Sequence, residues 1–223
     1  MLAAVRIGAV LTALGLATLH GANAFAQHEG HADHRFNDAN KWAQVFDDPA
    51  RDAWQKPHEV IMALKLAPDA AVADIGAGTG YFAARFSHML SAGKVYAVDL
   101  EPDMVTYLGE RAQKEGLANL TPVLGATDSP KLPAPVDLVI LVDVYHHIGA
   151  RERYFGQLRE SLKPNGRLAI IDFRMDATMG PSQAMRITPE QVRMELAKAG
   201  YVQAEEHGFL PQQYFLVFRR STQ

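Results

Sequence analysis

Cysteine is absent from the 223-residue chain, which excludes disulfides, thiolate metal sites and cysteine nucleophiles. That absence leaves the compartment open, because exported proteins can also do without disulfides. Runs of lysine and arginine are missing as well. The net charge is −3, and bulk electrostatics of this sign give no support for a nucleic-acid partner. No internal repeat is visible. What is present, 48% apolar and 21% charged residues, suits one globular domain with a substantial core.

The amino terminus has the layout of a secretory leader. Met1 to Arg6 carries one positive charge, Ile7 to Leu19 is mostly apolar, and Ala24-Phe25-Ala26 places small residues at both cleavage positions. The apolar run falls short of the roughly 20 residues that span a bilayer. The expectation is cleavage after Ala26, export to the periplasm and no stable membrane span afterwards. A non-functional leader would instead leave the protein cytoplasmic, and an uncleaved anchor is a further alternative. No Arg-Arg pair is present, which favours the general secretion route. Residues 27–37 read as a flexible tail carrying His28, His31 and His34. Three imidazoles suit Cu(II), Ni(II) or Zn(II). Without a folded shell they are more simply a solvated tail, and no metal site is expected.

Residues 38–223 form the remaining domain, with helices over 38–69 and a core over 70–223. Helices are expected at Asp38 to Phe46, around Trp54, and from Pro57, which suits a first helical turn. Strands and helices then alternate. Strands are expected at Ala71 to Ile75, Lys94 to Leu100, Leu120 to Leu124, Val136 to Val142 and Arg167 to Asp172, the last after a Lys163-Pro164-Asn165-Gly166 turn. Helices are expected at Tyr81 to Leu90, Pro102 to Gly116 and Arg151 to Leu162. Thr188-Pro189-Glu190-Gln191 combines an N-cap, a first-turn proline and a capping-box glutamine. Two closing strands, Val202 to His207 and Tyr214 to Phe218, suit an antiparallel edge. This order specifies an α/β, doubly wound, mostly parallel sheet.

Ligands of such sheets lie at the carboxyl ends of the strands. There the chain reads Asp74-Ile75-Gly76-Ala77-Gly78-Thr79-Gly80, and the next strand closes on Asp99-Leu100. Glycines let a ligand approach the backbone, and the following helix presents free amides to an anion. The dinucleotide fingerprint G-x-G-x-x-G would put its third glycine at position 81, which is Tyr81. Here the third glycine is Gly80.

The run Asp-x-Gly-x-Gly-x-Gly resembles motif I of the class I S-adenosylmethionine-dependent methyltransferases. Asp99 resembles the acid that holds the ribose hydroxyls in that family. Leu132 to Val139 resembles the lead-in to strand four, Tyr145-His146-His147-Ile148 its histidine-containing end, and Leu162 to Leu168 the turn before strand five. The resemblance covers about Val60 to Phe218. It implies a Rossmann-like, seven-stranded fold with N-terminal lid helices, S-adenosyl-L-methionine as cofactor and a small-molecule methyl acceptor. The cofactor set it implies is Asp74, Gly76, Ala77, Gly78, Thr79, Gly80, Asp99, Leu100, Asp128 and Asp143. One departure is Gly125-Ala126-Thr127-Asp128, where family members often carry Gly-Asp-Ala.

Methyl transfer is an in-line displacement that depends mainly on alignment. A base is needed only if the nucleophile must lose a proton early. His146 and His147 are candidates for that proton, beside Asp143. Trp54, Lys56, Tyr145, Asp172 and Arg174 are candidate lid or substrate residues. Two alternatives stay open: an NAD(P)-dependent oxidoreductase, and an exported, non-catalytic metabolite- or metal-binding protein that keeps the fold. The oligomeric state is not readable.

Overall fold

The computed structural model describes residues 38–221. The leader and the His28, His31 and His34 tail lie outside the described residues. Three short helices come first: α1 (Ala39–Phe46), α2 (Arg51–Gln55) and α3 (Pro57–Ala63). Asp38 caps α1 by accepting the Lys41 amide, and Pro57 opens α3 where no amide donor is needed. The core then alternates β1 (Ala71–Ile75), α4 (Tyr81–Met89), β2 (Lys94–Asp99), α5 (Pro102–Glu115), β3 (Leu120–Leu124), β4 (Val136–Val142), α6 (Arg151–Leu158), β5 (Leu162–Phe173), α7 (Pro189–Lys198), β6 (Tyr201–His207) and β7 (Gln213–Arg220).

The seven strands form one sheet in the order β3-β2-β1-β4-β5-β7-β6. Pairing is parallel from β3 to β5, and β7 runs antiparallel between β5 and β6. Strand order reverses at β1, which has β2 on one side and β4 on the other. That reversal opens a crevice beyond the carboxyl ends of β1 and β4. β4 is apolar almost throughout because both its faces are covered. One face packs Val60, Phe82, Phe86 and Leu108 from α3, α4 and α5. The other packs Phe155, Leu158, Val192 and Leu196 from α6 and α7.

Two expectations are corrected. Lys163-Pro164-Asn165-Gly166 does not precede strand five but lies inside it. Leu162 pairs with Val136 and Arg167 with Leu138, so the four residues bulge out of one continuous strand. The capping box at α7 is half formed. Thr188 accepts the Gln191 amide, but the Gln191 side chain donates to Glu195 instead of returning to the cap.

The glycines offer a test of this packing. A Cβ on Gly93 would lie 2.3 Å from the backbone oxygen of Ala70, which cannot yield. On Gly109, inside α5, it would meet only Pro122 Cγ at 3.9 Å. Gly93→Ala is therefore expected to destabilise by about 1–3 kcal/mol, and Gly109→Ala to stabilise by about 0.5–1 kcal/mol. Urea denaturation of the two variants measures both signs.

Candidate functional site

The turn after β1 is shaped by glycine. Gly76 and Gly80 take φ of +72° and +91°. A Cβ there would strike Val144 at 2.4 Å and Leu108 at 2.8 Å. The Gly76 and Ala77 amides both donate to Val98 O, which ties the turn to β2. The Gly78 amide donates to Asp99 Oδ2 at 2.8 Å, and the Glu101 amide donates to Asp99 Oδ1 at 3.0 Å. Asp99 is therefore fixed by two amides, half-buried, with lone pairs left on both oxygens. Burial raises its pKa, against the pull of those amides. Leu100 beside it is 52% exposed, and Leu124 at the end of β3 is 49% exposed. Apolar side chains held open at two strand ends suit the face of a flat ring.

Three carboxylates end the central strands. Asp74 on β1 is 3% exposed; burial raises it to about 7, opposed by the charge of Arg51 and an amide from Ala83. Asp143 follows β4 in a left-handed conformation with φ +60°. Burial also raises Asp143 to about 7; the charge of Asp172 adds to the rise, while Arg51 and His146 oppose it. The Gln213 side-chain amide donates to Asp143. Asp172 on β5 is 1% exposed and meets His146 Nδ1 at 2.9 Å. For His146, burial disfavours the imidazolium, but the Asp172 bond and the charges of Asp172 and Asp143 raise its pKa on balance. No hydrogen bond reaches His146 Nε2 among the described residues.

Helix α2 supplies the roof. Gln55, fully buried, donates to Gln213 at 2.8 Å. Arg51 lies 4.0 Å above the Tyr81 ring and 3.9 Å from Asp143. Tyr81 donates to Asp52, which also pairs with Arg85 at 2.9 Å. On α1, the Phe46 ring sits 3.2 Å from where a Gly78 Cβ would be. Arg111 joins Asp47 at 3.0 Å to the Thr79 carbonyl at 2.9 Å, clipping that roof to α5.

The structure thus gathers Asp74, the glycine turn, Ala77, Thr79, Asp99, Asp143, His146 and Asp172 at the crevice. Asp128 stands exposed at the tip of the loop after β3. His147 is exposed, with its ring 4.1 Å from that of His146. Trp54 lies 5.8 Å from Phe173 at the end of β5, and Lys56 Nζ donates to Phe209 O. Arg174 is occupied by Asp176 and the carbonyls of Leu210 and Pro211. Tyr145 is corrected: it is fully buried, stacked on Phe155 and bonded to Glu195 at 2.6 Å, so it belongs to the core under α6 and α7. Arg51, Tyr81 and Gln213 were not singled out in the sequence as site residues, whereas Gln55 was expected, beside Trp54 and Lys56, to contribute to a lid. Only the arginine after Asp48-Pro49-Ala50 could have drawn notice, as a cation on a helix leading into the core.

These residues fit a nucleoside that carries an amino-acid end. Asp99 offers paired acceptors for a diol, and buried Thr79 keeps a hydroxyl without a partner among the described residues. Residues 66–208 match the family model described as methyltransferase domain. The chain is similar to a protein-L-isoaspartate O-methyltransferase of Pyrococcus abyssi, with 26% identity over 164 residues, 72% of this chain and 68% of that protein. It is also similar to a ubiquinone/menaquinone biosynthesis C-methyltransferase of Pseudomonas putida, with 31% identity over 106 residues, 46% of this chain and 41% of that protein. The chain therefore spans about two thirds of the first relative and less than half of the second. Among solved structures, a SAM-dependent methyltransferase from Aquifex aeolicus matches with a TM-score of 0.74 and 27% identity, covering 81% of this chain and 97% of that one.

The raised carboxyls set a pH dependence. Between the ordinary value of 3.8 and about 7, the folded state binds protons at Asp74 and Asp143 that the unfolded chain has released. Stability of the ligand-free protein should fall as pH rises through that window. Asp143→Asn, which tolerates the positive φ and keeps an acceptor for Gln213, should flatten the decline. Melting temperatures from pH 4.5 to 8 test this; an unchanged slope would contradict it.

Proposed function

The chain belongs to the methyltransferase-domain family and is an S-adenosylmethionine-dependent methyltransferase; from that premise we propose that it methylates a small molecule by in-line transfer. The observation behind this acceptor class is the roof. Phe46 lies on the glycine turn, and the buried Gln55–Gln213 bond holds α2 over the strand ends. A crevice closed by buried bonds favours an acceptor that fits wholly inside it, over a peptide segment that must thread through. Neither the nicotinamide oxidoreductase nor the non-catalytic binding protein gains support from the comparisons.

S-adenosylmethionine, when bound, supplies a methyl group on a sulfonium, ready for one displacement. The protein's own part is placement and one proton. Asp99 holds the ribose hydroxyls through the oxygens that Gly78 and Glu101 orient. Asp172 fixes the His146 ring through Nδ1, which leaves Nε2 to take a proton from an acceptor hydroxyl. The two side chains of that dyad are 4% and 2% exposed. Exclusion of water at that depth strengthens the His–Asp interaction. Export with cleavage after Ala26 remains part of the proposal, and the N-terminal sequence of the protein from a periplasmic fraction tests it. A mature chain beginning at Met1 would refute it.

Calorimetry with S-adenosylmethionine and S-adenosylhomocysteine should show binding that Asp99→Ala weakens by about tenfold or more, because two oriented acceptors are lost. His146→Ala should keep that affinity while lowering methyl transfer by roughly 10²-fold or more. Radiolabel incorporated into added peptides, with none in a panel of small hydroxylated aromatics, would overturn the small-molecule reading.

A further inference from the structure

Two arginines at the end of the sheet opposite the crevice have no carboxylate partner. Arg159 follows α6, just before β5, and Arg220 closes β7 beside Tyr201 at the start of β6. Both lie at the amino end of β5, because β7 runs antiparallel to it. Arg85, Arg111, Arg151, Arg167 and Arg193 each meet a carboxylate, whereas Arg159 and Arg220 form no ion pair among the described residues. Arg159 Nε is buried without a hydrogen-bond partner. Arg220 Nη1 reaches the Arg159 carbonyl at 3.4 Å. A cation near a helix end ordinarily serves the last carbonyls by donating to them. Arg159 donates to none among the described residues, so the ends of α6 and α7 do not account for it. Leaving charged donors unsatisfied in a partly buried place is costly.

The Arg159 guanidinium is nevertheless built into its place. Gly200 takes φ +84°, and a Cβ there would lie 2.5 Å from Arg159 Nη1 and 2.8 Å from Cζ. The missing side chain lets the guanidinium lie against the backbone after α7. Tyr201 marks where the two arginines converge. Burial raises its hydroxyl pKa, and the charges of Arg159 and Arg220 oppose that rise. The hydroxyl itself donates to the Phe155 carbonyl at 3.0 Å.

A groove of ≈ 980 Å³ opens beside Arg159, between α6 and α7. Gly156, Ala199 and Gly200 line it and keep it wide, and Lys198 and Arg153 bring further positive charge. Of its two acids, Glu195 is occupied by Arg151 at 2.6 Å, which leaves the exposed Glu152. Guanidiniums with open donors match the oxygens of a tetrahedral dianion. We propose that this groove binds a phosphate monoester, with Arg159 and Arg220 on the phosphate, Lys198 adding charge, and the organic part lying between α6 and α7. The site is separate from the crevice and does not depend on the reading of that crevice.

Calorimetry on the full chain, in chloride buffer of fixed ionic strength, takes inorganic phosphate as the probe. The unmodified protein should bind it, and Arg159→Gln and Arg220→Gln should each weaken binding by about tenfold or more. Arg159→Lys, which keeps the charge without the planar fork, should lose less. Arg219→Gln is the control for general charge, since Arg219 is exposed and adjacent in the chain; it should change affinity by no more than about twofold. Saturating S-adenosylhomocysteine should leave phosphate affinity unchanged. A soluble ester and a lipid headgroup share this chemistry. Sedimentation with phosphatidylcholine vesicles distinguishes them: binding that needs both added phosphatidic acid and Arg159 assigns the lipid, and no binding assigns the soluble ester. Absence of phosphate binding to the unmodified protein would overturn the proposal. So would equal losses in Arg159→Gln and Arg219→Gln, or displacement of phosphate by S-adenosylhomocysteine.

Discussion

Three carboxylates closing three adjacent strands impose the constraint on which the rest of this molecule depends. Asp74, Asp143 and Asp172 terminate β1, β4 and β5, and parallel pairing brings them to one end of the sheet. Unpaired, such a cluster would be strongly unfavourable in a buried setting. Two partners offset it. His146 comes from the turn that follows β4 and meets Asp172 directly. Arg51 comes from outside the sheet altogether, on a helix of five residues. A helix so short has little stability of its own. It persists because the fold holds it through Arg51, Gln55 and the Tyr81–Asp52 bond, so the acids and the roof stabilise each other.

The same dependence explains why the glycine turn is placed as it is. The turn must pass close to β2 for the Val98 carbonyl to accept the Gly76 and Ala77 amides. That approach leaves the Gly78 amide pointing at Asp99, so one short segment both finishes β1 and orients the carboxylate at the end of β2. Tyr81, the residue after the third glycine, then serves as the platform on which Arg51 lies. Glycine turn and roof therefore meet at a single aromatic ring, with Arg51 and Arg85 each about 4 Å from its centre.

Much of this was legible in the sequence because it is local. The strand limits of β1, β3 and β4, the first-turn prolines of α3, α5 and α7, and the turn flanked by Asp74 and Asp99 all follow from patterns a few residues long. The contacts that were not legible are distant ones. Gln55 and Gln213 are 158 positions apart, and neither sits in a pattern that announces a partner. Pro164-Asn165-Gly166 reads as a turn between elements, because the chain's return to the same strand is decided by Val136 and Leu138 across the sheet. Tyr145 stands beside His146 in sequence, yet the tight turn from Tyr145 to His147 sends the two rings to different places. Adjacency in the chain carries no information about direction once the backbone leaves the strand.

The charge arrangement bears on catalysis as well as on folding. A sulfonium donor loses its positive charge as the methyl group leaves, so carboxylates near it hold the ground state more tightly than the transition state. An excess of fixed negative charge would therefore slow the reaction it helps to bind. This crevice limits that excess in two ways. Burial raises Asp74 and Asp143 to about 7 in the ligand-free protein, which lowers their tendency to ionise. Arg51 sets positive charge against what remains. Under the proposed assignment the acids at the strand ends would chiefly serve recognition, and the rate would depend on how well the turn, Asp99 and the His146–Asp172 pair align the reacting groups.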